Sequence, residues 1–326
     1  MRRALFLGLL VAIASTGCTR TDKVSKQREL SKVRLSISHQ MSWAPIMIAQ
    51  AEGFFREEGI DVEYVMIPSA QETLVGLVTG SLDVLSGPTH ASFFSAIQQG
   101  AKIKIVASQG ILARDGCTYF GIVRRRDLAP NANIKRMRAS RDGLSRFVTT
   151  RMLETAGVDI NKIDVTQVLD PVALSSLRSG TLDAVAAGQP GLTRLQSVGT
   201  SWLAAEKIVP DFQWGTISFG ERLLYKDRDT GARFLRAYKR GVEQYEQGKT
   251  ERNVAIIAKE TGQPPEIIRS ACWISYPPDL HVNWRSIEEF QAWAKKEGLL
   301  KNILSRDQAM DTTFLAELHR STASKQ

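Results

Sequence analysis

The sequence predicts an α/β chain folded as two doubly wound lobes joined by a two-strand hinge. Short apolar segments alternate with amphipathic, glycine-ended stretches from Val33 onward, which is the pattern of a mostly parallel sheet covered on both faces. The same pattern returns one hundred residues later, and a long run with helical periodicity then follows.

At the start of the chain, Arg2 and Arg3 precede an apolar run from Ala4 to Ala14, and Ser15, Thr16 and Gly17 lead to Cys18. The run is too short to cross a bilayer and has the layout of an export signal. Residues 1–17 are therefore expected to be a signal peptide. Cys18 follows a small-residue run as in a lipoprotein cleavage box, so it is the expected lipid attachment point. Ser15 stands where such a box usually has Leu, and cleavage by a general signal peptidase is the alternative. Residues 18–32 are polar and aperiodic and read as a tether.

Four strands are expected next, at Val33–Ser38, Val62–Ile67, Leu82–Ser86 and Ile103–Ser108. Pro45 sits where the first turn of a helix tolerates it, and Gly59, Gly80 and Gly100 end the three intervening helices. The repeat is then visible by eye: Leu77-Val-Thr-Gly80-Ser-Leu82-Asp83 against Leu177-Arg-Ser-Gly180-Thr-Leu182-Asp183, flanked by Gly59-Ile60-Asp61 against Gly157-Val158-Asp159 and by Gly87-Pro88 against Gly188-Gln189-Pro190. Two tandem units imply two lobes. Strand-like Phe120–Arg124 and Gly215–Phe219 bracket the second unit and are the expected crossovers. The first lobe is thus discontinuous, residues 33–121 with 216–326, and the second spans 122–215. The tail is expected to be helical over Asp229–Gln247, Arg252–Thr261, Pro265–Ala271, Arg285–Lys296 and Asp311–His319.

The formal charge is +9, with 43 Lys and Arg mixed among 34 Asp and Glu. Basic residues are not gathered with aromatics in a recognisable module, so nucleic-acid binding is not expected. With Cys18 assigned to the anchor, Cys117 and Cys272 remain; a single bridge and two separately buried thiols both fit. There is no Gly-x-Ser-x-Gly elbow, no His-Glu-x-x-His helix and no Cys-x-x-Cys pair. Gly248-Lys249-Thr250 resembles the end of a phosphate loop, but Glu243 occupies the leading glycine position and the segment follows a helix. His39, His90, His281 and His319 are scattered without metal-ligand spacing. No catalytic residue, metal or cofactor is expected.

What the chain offers is a set of polar and aromatic residues at the carboxyl ends of strands, where open α/β sheets bind ligands. These are Gln40, Met41, Ser42 and Trp43 after the first strand, Ser69 after the second, Gly87, Pro88, Thr89 and His90 after the third, and Gln109 after the fourth. From the second lobe come Ser145, Arg146, Asp170 and Gln189. Several stand at helix starts, whose free N–H groups and dipole favour an anion. Trp43 is placed either to stack on a flat ligand or to plug the sheet edge, Thr89 is placed to cap a helix, and Arg146 to pin an anion. Arg124-Arg125-Arg126 reads as a solvated hinge flank, and Asp83 and Asp183 read as structural.

The segments Trp43-Ala-Pro45, Ala49-Gln-Ala-Glu52-Gly53-Phe54-Phe55, Glu58-Gly59-Ile60-Asp61-Val62 and Leu77-Val-Thr-Gly80-Ser-Leu82-Asp83-Val84 resemble the nitrate, sulfonate, taurine and thiamine-precursor group of periplasmic binding proteins that serve ABC importers. The resemblance is strong over 33–107, moderate over 157–188 and weak in the tail. It implies a type II periplasmic-binding-protein fold that closes like a clamp, without enzymatic activity. It also implies an ABC permease and its ATPase as partners, and a monomer at the periplasmic or cell-surface side of a membrane. In this family the cleft is lined by the segments that here fall on Gln40–Trp43, Gly87–His90, and Ser145 with Arg146. The ligand is expected to be a small anionic or planar organic molecule. A binding protein serving a sensor or another transporter, and a pyrimidine synthase on the same scaffold, are the other readings; the Cys-rich segment expected of that synthase is absent.

Overall fold

The computed structural model describes residues 29–66, 70–114, 116–129 and 132–323. The signal peptide, Cys18, most of the tether and Ser69 lie outside the described residues. Among the described residues there are twelve strands: β1 (Ser31–Ser36), β2 (Ile60–Val65), β3 (Val84–Gly87), β4 (Lys104–Ser108), β5 (Ile111–Leu112), β6 (Phe120–Arg125), β7 (Arg136–Arg138), β8 (Asp164–Thr166), β9 (Ala184–Gly188), β10 (Gly199–Ala204), β11 (Phe212–Gln213) and β12 (Thr216–Phe219). The expected tether is shorter than 18–32, because Ser31 and Lys32 already pair with Ile60 and Asp61 in β1.

The strands form two five-stranded sheets, β2-β1-β3-β12-β4 and β10-β6-β9-β7-β8. Their wiring is the same. In each, the two pairings at the β2 or β8 side are parallel, and one antiparallel strand is inserted beside the last parallel one. That inserted strand is β12 in the first lobe and β6 in the second, each arriving just after the chain has crossed between sheets. The short pair β5–β11 lies between the sheets, with Phe212 opposite Leu112 and Gln213 opposite Ile111. Cys117 and Cys272 are bridged, tying the first crossover to the helical tail.

The repeated Leu-Asp pair has one structural role twice over. Asp83 accepts the Arg34 N–H at 2.9 Å and donates its own N–H to the Arg34 carbonyl at 2.9 Å; Asp183 accepts from Arg136 and donates to Arg136 at the same distances. Each carboxylate thus fixes the first parallel strand of its lobe against the third. Gly80 and Gly180 end their helices with φ near +80° and +78°, a conformation that costs glycine nothing.

The tail is helical over Arg228–Tyr245, Glu251–Thr261, Pro265–Ser270, Trp284–Lys296, Arg306–Ala309 and Thr313–Ala323. The long helix Arg228–Tyr245 packs on the helix Ala44–Ala51 so closely that a Cβ on Gly241 would stand 2.2 Å from the Pro45 carbonyl oxygen. Gly248-Lys249-Thr250 is a helix junction, where the Thr250 hydroxyl caps Asn253 at 3.2 Å. The arginine run is solvated only at its end, where Arg126 is exposed: Arg124 is buried, bonds the Ala129 carbonyl and lies over Trp202 at 5.3 Å. Arg125 and Arg126 bond carbonyls at Gly180 and Ser197. Backbone carbonyls at the turns beside β6 need donors, and these guanidinium groups supply them.

Candidate functional site

The carboxyl ends of the two sheets face each other, and loops at those ends meet. The Met41 N–H donates to the Gln189 carbonyl at 3.3 Å, the Leu144 N–H to the Thr89 carbonyl at 3.1 Å, and His90 Nδ1 stands 3.6 Å from Asp142 Oδ1. Gly143 makes the last contact possible, since a Cβ there would lie 2.5 Å from the His90 ring. The His90 imidazole beside Asp142 holds that carboxyl below the usual carboxylate range. These contacts join loops that follow β1, β3, β7 and β9, so the structure has its lobes drawn together.

Two cavities of about 440 Å³ and 460 Å³ lie between the lobes and share Gln40, Arg138, Val168, Leu169 and Gly188. One is bounded further by Asp170, Gln189 and Arg194, the other by Phe120, Ser140, Ser145 and Trp214. Arg138, at the carboxyl end of β7, donates through Nε to the Val168 carbonyl (3.3 Å), through Nη1 to Ala186 (2.8 Å) and through Nη2 to Asp170 Oδ1 (2.9 Å). A guanidinium has five N–H donors, so two remain for a ligand. Arg194 adds a second cation, and Asp170 is the one carboxylate among the described lining residues.

Helix starts add partial positive charge. The helices Ala44–Ala51, Ala91–Gln98, Gly143–Thr155 and Asp170–Ser179 begin at this junction, and none has a side-chain bond from its N-cap residue to the first turn. First-turn N–H groups without a partner inside a helix are donors that an anion can accept from, although Leu144 already donates to Thr89 and Pro45 and Pro171 have no N–H.

The floor is aromatic. Trp214, between β11 and β12, lies 4.8 Å from the Phe120 ring and edge-on to Tyr119 at 5.5 Å. Its Nε1 has no hydrogen-bond partner although it is buried. Burial pushes the Tyr119 hydroxyl up to about 12, so it stays protonated. Behind it, Glu206 accepts the N–H groups of Tyr119 (2.7 Å) and Phe120 (3.3 Å), and burial raises its carboxyl above the usual range.

Of the residues the sequence singled out, Gln40, Ser145, Asp170 and Gln189 line the cavities between the lobes. Trp43, Gly87, Pro88, Thr89 and His90 instead line a cavity within the first lobe. Met41, Ser42 and Gln109 are buried and line no described cavity; Gln109 Nε2 and the Tyr276 hydroxyl both hold the Ser42 carbonyl, at 2.9 Å and 2.6 Å, which makes this group structural. Gln189 lines its cavity, but its side chain is spent on the Thr118 carbonyl and Thr193. Thr89 is not a cap: His90 is the N-cap residue, and the Thr89 hydroxyl meets that of Thr216 at 3.2 Å. Arg146 lines no described cavity. One residue beyond Ser145 is a turn of about 100° on a helix, and Arg146 faces the field of Glu297 on the tail while burial lowers its pKa. Arg138, Arg194 and Trp214 were not singled out. Extending the internal repeat upstream would have placed a strand ending at Arg138, since Arg136 stands to Asp183 as Arg34 stands to Asp83.

Among the described residues no cluster of His, Cys, Asp and Glu is arranged to hold a metal, and no helix is long and apolar enough to cross a membrane.

The profile described as NMT1/THI5 like matches residues 40–247. A putative binding protein of Bacillus subtilis (strain 168), YtlA, is 24% identical over 305 residues, 88% of this chain and 90% of the relative. Among solved structures, the zinc-bound ligand-binding component of an ABC-type import system from Staphylococcus aureus superposes with a TM-score of 0.73 at 13% identity, over 88% of this chain and 99% of that one. The periplasmic nitrate-binding protein NrtA from Synechocystis PCC 6803 gives 0.72 at 14% identity, covering 90% and 89%. The alkanesulfonate-binding protein SsuA from Xanthomonas axonopodis pv. citri, bound to MOPS, gives 0.64 at 16%, covering 85% and 96%. On this match and this architecture, the chain belongs to the NMT1/THI5-like family and has the two-lobed periplasmic-binding-protein fold.

Proposed function

We propose that this protein is the extracytoplasmic capture component of an ABC-type importer, taking a small organic anion between its lobes and delivering it to a membrane permease. The observation that carries this reading is Arg138, which stands at the centre of the cleft with two N–H donors uncommitted. Arg194 and the uncapped helix starts add to the field, and Asp170 opposes it only in part. Trp214 and Phe120 offer a flat apolar floor on which a planar ligand can lie. Contacts between the lobes, among them Met41 to Gln189, Leu144 to Thr89 and His90 to Asp142, support the reading that closure engages both sides at once and so makes closed and open forms distinguishable to a permease.

The bridge between Cys117 and Cys272 suits an oxidising compartment, in keeping with export directed by residues 1–17 and anchoring at Cys18. The reading is of a monomeric, non-enzymatic binder whose partners are the permease, its ATPase and, through the lipid, the membrane. Thermal unfolding of the chain lacking residues 1–18 against nitrate, sulfonates, carboxylates, neutral pyrimidines and apolar controls tests it. A saturable rise in melting temperature with anions is expected. A rise with neutral compounds alone, or with none, would sink the anion reading.

A further inference from the structure

The first lobe holds a further, partly open cavity of about 160 Å³ between the sheet and the helices Ala70–Thr79 and Ala91–Gln98. Its walls include Leu74, Leu85 and Phe93, with the Trp43 ring at one end. In size it compares with the engineered cavity of about 150 Å³ that holds benzene.

The register of β3 and β12 decides which polar groups face it. Leu85 pairs with Ser218 and Gly87 with Thr216, so these four lie on one face of the sheet, the face toward the cavity. Ser86 pairs with Ile217 on the opposite face. Ser218 is 1% exposed and its hydroxyl has no hydrogen-bond partner; the Trp43 Nε1 is likewise buried and unpartnered. Gly87 is glycine because a Cβ would stand 3.0 Å from the Trp43 ring, and its φ is +145°. An unpaired buried donor costs free energy that a ligand acceptor would restore. The cleft-ward wall is Thr89 and His90, the same turn that meets Leu144 and Asp142 of the second lobe.

We propose that this cavity is a ring-sized subsite of the ligand site, seating one small aromatic or alicyclic group that presents a hydrogen-bond acceptor to Ser218 or Trp43. This rests on the reading of the protein as a binder, and it adds to the anion in the cleft an apolar ring held by the first lobe alone. The ring is thereby captured before the second lobe closes on the charged end.

The test is fluorine NMR of 4-fluorophenol titrated into the exported chain, in wild type and in the Ser218→Val, Leu74→Trp and Arg138→Gln variants. Saturable binding is expected in wild type, weakened about five-fold in Ser218→Val for one lost hydrogen bond, abolished in Leu74→Trp by filling, and unchanged in Arg138→Gln. An arenesulfonate with a flexible linker between ring and sulfonate, titrated in parallel, should lose affinity in both Leu74→Trp and Arg138→Gln. Absence of saturable fluorophenol binding by folded wild type, or binding indifferent to Leu74→Trp, overturns the subsite while leaving the anion reading standing. Loss of fluorophenol binding in a folded Arg138→Gln variant also overturns it, because the ring would then sit in the cleft.

Discussion

Replacing Arg138 by Ala should weaken anion binding by roughly ten- to a hundred-fold, while Asp170→Asn should leave it equal or tighten it. The guanidinium keeps two donors for a ligand, and one charge-assisted hydrogen bond is worth about 1.5–3 kcal/mol, or roughly that range in affinity. Its side chain is 25% exposed, so solvent screening favours the lower half of the range. Asp170 is 57% exposed, and removing its charge frees Arg138 Nη2 at little electrostatic gain, a few-fold at most. Arg138→Ala also strips donors from the Val168 and Ala186 carbonyls, which costs about 1–2 kcal/mol of stability. A fall in melting temperature of several degrees should therefore accompany the change without unfolding the protein at room temperature. Arg138→Lys keeps the charge and loses the fork, and should fall between. Calorimetric titration at two salt concentrations measures all four proteins, and the arginine effect should shrink at the higher salt. An unchanged dissociation constant in folded Arg138→Ala, or weaker binding in Asp170→Asn, would refute the assignment of the cleft charge.

Three further outcomes follow from the framework around the site. Glu206 has its folded pKa raised by burial, so its contribution is present at low pH and is lost as pH rises through that raised value. Glu206→Gln should therefore flatten the decline in melting temperature as pH rises above the usual carboxylate range, and an identical slope in the variant would show that the carboxyl does not titrate with folding. Gly241→Ala must push two helices apart to relieve a contact of 2.2 Å, and should cost at least about 2 kcal/mol in denaturant unfolding; a neutral result contradicts the close helix approach. Cys117→Ser with Cys272→Ser removes a link spanning 155 residues and should cost about 2–5 kcal/mol, matching the loss on reduction of wild type. A reductant effect that persists in the double variant would point elsewhere.

Much of the fold was legible because its signals are local. The glycines at 59, 80 and 180 take left-handed φ where a helix must give way to a strand, and the Leu-Asp repeat marks equivalent corners of equivalent sheets. β7 was not legible: Arg136-Met137-Arg138 is three residues long and alternates charge with one buried side chain, which alone reads as surface. Missing that strand hid Arg138. Residues 40–43 and 109 stand at the right end of the sheet, yet position along a strand does not tell which side chain turns inward. Ser42 and Gln109 turned out to knit the junction of the first lobe. The arginine run was misread for a related reason, since the carbonyls that Arg125 and Arg126 satisfy come from turns distant in sequence.

The central claim, that the two lobes close on an anion, is tested most directly by a distance between them. Nitroxide labels at Val78→Cys and Ser175→Cys, both on exposed helix positions of opposite lobes, report it by electron–electron resonance. The account predicts a broad distribution in the free protein that narrows and shortens when the stabilising anion is added, and less so in Arg138→Ala. A distribution unmoved by an anion shown to bind in the same sample would contradict it.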